Sequence, residues 1–222
     1  MTASPLLIDK KCEALQQALL ALGEQAQRAL YRSLEALREH DLAVARAIVD
    51  GDPDINRQRR VLEQEALLVL AAYQPAGADL RFVGASLETI AELERMADYA
   101  ADIARILLRR PELSFPAALV GQVVEMGETA LDMFRDAMAA YGRRGGDADG
   151  ARAVAARDDR VDTLQREILD ALLELIRQDC ESAAAGVALV WIVHLYERVA
   201  DRATNIAERV VFIATGELAE LD

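Results

Sequence analysis

Glu197-Arg198-Val199-Ala200-Asp201-Arg202-Ala203-Thr204-Asn205-Ile206-Ala207-Glu208 has an echo 103 residues earlier, in Glu94-Arg95-Met96-Ala97-Asp98-Tyr99-Ala100-Ala101-Asp102-Ile103-Ala104. Glu, Arg, Ala, Asp, Ala, Ile and Ala recur in the same order. Residues four apart lie one above the other on a helix, so each copy presents a Glu–Asp pair on one face. Around the helix the neighbours of the first pair are Leu87, Ile90, Ala91, Ala97 and Ala101. Those of the second are Val190, Val193, His194, Ala200 and Thr204. Carboxylates on such an apolar, small-residue face are costly to bury unless a cation compensates them, supplied by the protein or by solution.

Working outward, the same duplication runs through the chain. Leu22-Gly23-Glu24-Gln25-Ala26 answers to Met126-Gly127-Glu128-Thr129-Ala130, 104 residues on, and Asp52 to Asn56 answers to Asp158 to Asp162, 106 residues on. Apolar side chains recur at three and four, which predicts long helices over 6–39, 42–73, 80–108, 116–141, 151–178 and 183–216. Asp41 and Asp79 are candidate helix caps, Pro53 a kink, and 142–150 a loop rich in Gly and Asp. Residues 182–196 carry no formal charge and predict a helix lying deep between others. Two repeats of three long helices follow: an all-α fold of two tandem three-helix bundles, over 1–110 and 111–222.

In each repeat the middle helix adds a second oxygen-bearing row. Measured from the corner near Gln74, Asn56 lies ~18 residues back and Asp98 ~20 beyond, so antiparallel helices bring both to one height. Two clusters result: Asp52, Asn56, Glu94 and Asp98, and Asp158, Asp162, Glu197 and Asp201. Oxygen-rich quartets of this kind suit hard or borderline cations, with iron, Mg, Mn or Zn as candidates, and the second carries more charge. The competing reading is neutralisation by arginine, for which Arg57, Arg95, Arg160 and Arg198 are the nearest in sequence. His194, three residues before Glu197, reads as a core histidine or one supporting the ligands. His40 ends or caps a helix, and Trp191 reads as packing.

Composition narrows the functional classes. Of 222 residues 53 % are hydrophobic and only 5 % aromatic, and the formal charge is −13. That balance opposes nucleic-acid binding and a polybasic hold on anionic lipid, leaving at most peripheral membrane association. Cys12 and Cys180 form no paired motif and read as free, buried thiols in a reducing compartment. The first eleven residues have no leader pattern, and 182–196 is shorter than the ~20 residues a span needs, so a cytoplasmic location is expected. No nucleophile–base pair, phosphate loop or dinucleotide fingerprint appears, so there is no positive case for an enzyme.

The chain resembles the PhoU family of phosphate-uptake regulators over nearly its full length. The resemblance lies in Gln74-Pro75-Ala76-Gly77-Ala78-Asp79-Leu80-Arg81, in Asp52 to Asn56, and in the twin Glu-Arg-x-x-Asp segments. It implies metal ligands at Glu94, Asp98, Glu197 and Asp201, with Asp52 and Asp158 opposite. It also implies a cytoplasmic negative regulator linking the phosphate ABC transporter, through its ATPase subunit, to a sensor histidine kinase. That regulator would restrain uptake and, indirectly, transcription of phosphate-starvation genes, and a homodimer is plausible. The alternative is a di-metal carboxylate enzyme or a metal-storage helical protein.

Overall fold

The computed structural model describes residues 5–221, and every regular element among them is helical. The reading of the first eleven residues therefore falls partly outside the described residues. The order is α1 (Pro5–Glu39), α2 (Leu42–Tyr73), α3 (Ala78–Arg109), α4 (Ala117–Gly142), α5 (Ala148–Ala155), α6 (Asp158–Gln178) and α7 (Ala183–Thr215). A 3₁₀ turn at Cys180–Ser182 joins α6 to α7. Repeat one is α1–α3. Repeat two is α4–α7, its middle helix split into α5 and α6.

The corners follow local chemistry. Asp41 caps α2, its Oδ1 accepting from the amides of Ala43 and Val44 at 2.9 and 3.0 Å. Gln74 ends α2 in the left-handed region, and Gly77 at φ +58° precedes α3. Gly77 takes the cap position expected for Asp79, which sits instead in the first turn of α3, where its charge favours the helix N-terminus. α2 runs through Pro53 without interruption. The break expected nowhere is at Ala156 and Arg157. It is held by tertiary contacts, the Arg157 guanidinium donating to the Asp132 carbonyl at 3.3 Å and to Asp136 at 2.8 Å. The loop predicted over 142–150 is correspondingly shorter, because α5 starts at Ala148 on an Asp147 cap.

The two repeats share one hydrophobic core. α1 packs on α4 and α3 on α7, so these four helices form the centre, with α2 outside on one flank and α5–α6 on the other. Two buried tyrosines cross the seam. Tyr141 of α4 bonds the Ser86 hydroxyl of α3 at 2.8 Å, and Tyr196 of α7 bonds Ser33 of α1 at 2.9 Å. Burial drives both phenols far up from their ordinary acidity, which keeps them neutral donors. At the α1–α4 crossing Gly127 admits Leu34, since a Cβ there would lie 2.5 Å from Leu34 Cδ2 and 3.3 Å from the Tyr196 ring.

Three guanidiniums of α7 also reach α3. Arg198 donates to Tyr99 Oη at 2.9 Å, Arg202 meets Glu92 at 3.3 Å, and Arg209 meets Glu88 at 2.6 Å. The pairing order makes α3 and α7 antiparallel. His40, at φ +52°, turns the chain after α1 and donates Nε2–H to the Pro111 carbonyl at 3.0 Å, fastening the segment between repeats.

Three expectations fail here. The helix over 182–196 is not deep all round, because Val187 and Trp191 are exposed, and Trp191 is not a packing residue. Both thiols are free, but Cys180 is exposed, so only the half-buried Cys12, which packs against the core, fits the filler reading. By length and composition Cys180–Thr215 could cross a membrane, but half of its most apolar window is buried inside the molecule, as in a core helix.

Candidate functional site

α2 and α3 bring Asp52, Asn56, Glu94 and Asp98 together at the height expected. Asn56 Nδ2 donates to Asp52 Oδ1 at 3.3 Å, and its amide also favours the charged form of Asp98. Asp98 is pushed above the usual carboxylate range by burial first, then by the charges of Asp52 and Glu94. The other two carboxylates are met by arginines. Arg59 donates to Glu94 at 2.7 Å and to Glu63 at 2.6 Å, and Arg105 donates to Asp52 at 3.1 Å and to Asp102 at 2.7 Å.

These are not the arginines nearest in sequence. Arg57 pairs with Asp54, Arg160 with Glu125, and Arg198 with Tyr99, while Arg95 is exposed. The guanidiniums that matter come from one turn further along each helix, Arg59 after Asn56 and Arg105 after Asp102.

The α6–α7 cluster is built differently. Asp158 opens α6 half-buried, Asp162 follows one turn on, and Glu197 and Asp201 face them from α7. Glu197 is raised from 4.5 to about 7, by burial first and then by Asp201 and Asp162, against the opposing pull of Arg198 and Arg202. Asp201 is raised too, mainly by burial. His194 Nδ1 lies 3.2 Å from Glu197 Oε2 but is not aligned for a hydrogen bond, so that buried oxygen accepts none.

The asymmetry has a sequence origin. The position of Arg59 is Gln165 in repeat two, and that of Arg105 is Glu208, which is engaged by the Leu221 amide at 3.1 Å and by Arg209 at 3.4 Å. Repeat two thus has no arginine at either of those two positions, and the guanidinium near its cluster is that of Arg202, 4.0 Å from Asp201.

Among the described residues no three His, Cys, Asp or Glu side chains converge closely enough to hold a metal ion as they stand. The donor set of the second cluster still fits a hard or borderline cation: carboxylates, one adjacent imidazole, a buried Glu197 oxygen that accepts no hydrogen bond, and no guanidinium bonded to Glu197. The first fits poorly, because Arg59 and Arg105 already hold two of its carboxylates.

A PhoU domain model matches residues 19–107 and 123–210, one match per repeat. A phosphate-specific transport system accessory protein PhoU homolog of Clostridium acetobutylicum is 29 % identical over 217 residues, covering 97 % of this chain and 98 % of that protein. The homolog of Streptococcus pneumoniae serotype 4 is 31 % identical over 96 % of this chain and 98 % of its own. The crystal structure of the phosphate transport system regulatory protein PhoU from S. pneumoniae superposes with a TM-score of 0.87 at 30 % identity, covering 96 % of this chain and 99 % of that one. PhoU from Pseudomonas aeruginosa gives 0.89 at 28 % identity, covering 94 % and 99 %. With both repeats matched, and relatives aligned from end to end, the chain belongs to the PhoU family.

Proposed function

We propose that this chain is a cytoplasmic negative regulator of phosphate uptake, an adaptor between the phosphate ABC transporter and its sensor histidine kinase. Membership of the PhoU family, whose members aligned above are accessory proteins of phosphate-specific transport, carries this reading. The build suits it: long helices on one shared core offer rigid partner surfaces, and no catalytic constellation was found in the sequence. Deleting the gene tests it. Phosphatase expression should become constitutive in high phosphate, and unchanged repression would refute the role.

We further propose that the α6–α7 cluster, rather than the α2–α3 one, takes a divalent cation. The observation that carries this is the buried Oε2 of Glu197, which accepts no hydrogen bond and sits among Asp162 and Asp201. Glu197, Asp201, Asp162 and Asp158 would hold the ion, with His194 alongside, and the ion would neutralise the groove and brace α6 against α7. Elemental analysis of untagged protein should find one ion per chain, lost in Glu197→Ala/Asp201→Ala. Unchanged metal content in that variant would refute the site. No observation beyond the carboxylates themselves favours a di-metal enzyme, and among the described residues no three of the candidate ligands converge as they stand.

A further inference from the structure

Trp191, the only tryptophan of the chain, is 58 % exposed on α7, and Val187 one turn before it is 53 % exposed. Leu173 on α6 is 57 % exposed. Ile176 fills the space beside Gly186, which fixes the antiparallel α6–α7 register and sets Leu173 opposite the turn from Val187 to Trp191. Repeat one has Gly84 and Glu88 where repeat two has Val187 and Trp191. Helix packing in this fold therefore does not require apolar side chains at those positions. Grouped exposed apolar side chains of this size, an aromatic among them, mark an interaction surface.

The charge on the α6 side is predominantly negative. Residues 166–181, the end of α6 and its turn into α7, hold five acidic and two basic side chains. Asp170 and Glu174 lie exposed within a turn of Leu173 and Glu167 two turns before it, and Arg177, one turn after, meets Glu174 at 3.9 Å. On the α3 side Arg105 is engaged by Asp52 and Asp102 and Arg110 by Glu112, while Arg109 is exposed, so the negative edge is confined to α6. Opposite potentials attract and orient partners, so the complementary surface is apolar at its centre and basic where it meets α6.

We propose that Leu173, Val187 and Trp191 form a docking surface for a basic, amphipathic segment of a partner protein. Trp191 is the anchor, and lysines or arginines of the partner lie along α6. The existence of a partner rests on the adaptor reading; the chemistry of the surface does not.

The test uses the purified full chain and a fluorescein-labelled helical peptide with a leucine face rimmed by lysine. Binding should shift Trp191 emission to the blue and shield it from acrylamide. Affinity should fall at least about tenfold in Trp191→Glu and in Glu167→Lys/Asp170→Lys/Glu174→Lys, with folding verified by circular dichroism. The proposal is overturned if Trp191 emission does not respond, if Trp191→Glu binds as well as wild type, or if a glutamate-rimmed twin binds equally. It is also overturned if phosphatidylcholine vesicles, or self-association of the chain, account for the same shift. None of these outcomes touches the gene-deletion result, so the two readings fail separately.

Discussion

Replacing Glu197 by Gln removes the charge that the α6–α7 groove accommodates least well. The carboxyl sits at about 7 against an ordinary 4.5, so at about 1.4 kcal/mol per unit the ionised form opposes folding by about 3 kcal/mol. The sign follows from proton binding. Between 4.5 and about 7 the folded chain holds the Glu197 proton and the unfolded chain does not. Stability of the metal-free protein from this group is therefore full below that window and is lost as pH rises through it. Glutamine keeps the shape and carries no titrating proton. In chelator at pH 8, Glu197→Gln should unfold about 3 kcal/mol harder than wild type, a rise of roughly 6–12 °C in Tm for a chain of this size. At pH 4.5 the two should coincide. Urea unfolding at both pH values reads the difference. Saturating Mn2+ should then favour the wild type, by about 2.7 kcal/mol at a hundredfold excess over Kd, and leave the variant nearly unchanged. A variant less stable than wild type in chelator at pH 8, or a difference that does not change with pH, would refute the reasoning about Glu197. Equal stabilisation of both proteins by Mn2+ would refute the cation.

Giving repeat one the residues of repeat two, Arg59→Gln with Arg105→Glu, should raise bound metal from one ion per chain to two by elemental analysis; a constant count would show that the arginines do not block the site. Arg59→Ala alone leaves Glu94 half-buried and unpaired, and should cost about 2–3 kcal/mol in urea unfolding. Gly127→Ala drives a methyl into Leu34 and Tyr196 and should destabilise by about 1–3 kcal/mol. Gly23→Ala meets only the flexible end of Met138, so gain in helix propensity should nearly offset the crowding, and its Tm should stay close to wild type. Tyr196→Phe should cost about 1 kcal/mol, because Ser33 still donates to the Leu30 carbonyl at 2.7 Å.

Five of the six expected helices, the repeat and the height at which the acidic rows meet are legible in the sequence, because periodicity and constant offsets survive any detail of packing. Asp41 shows the same local logic, a capping side chain beside its own amides. What escaped depends on contacts distant in sequence. Nothing around Ala156 and Arg157 breaks a helix by itself; the break belongs to the contacts of Arg157 with α4. The neutralising arginines were mistaken because adjacency favoured Arg57 and Arg95, whereas reach across a groove favours residues a turn away, Arg59 and Arg105. The repeat offsets place Gln165 and Glu208 at the corresponding positions of repeat two. Trp191 was misplaced for a simpler reason: residue type announces cost in water, not whether a neighbour is there to remove it.

The two crossing tyrosines imply something about the independence of the halves. Cut between Arg110 and Pro116, each fragment would bare the seam side of a central helix pair and leave a phenol without its serine. Such fragments should be sticky alone yet recombine when mixed, as a split reporter does.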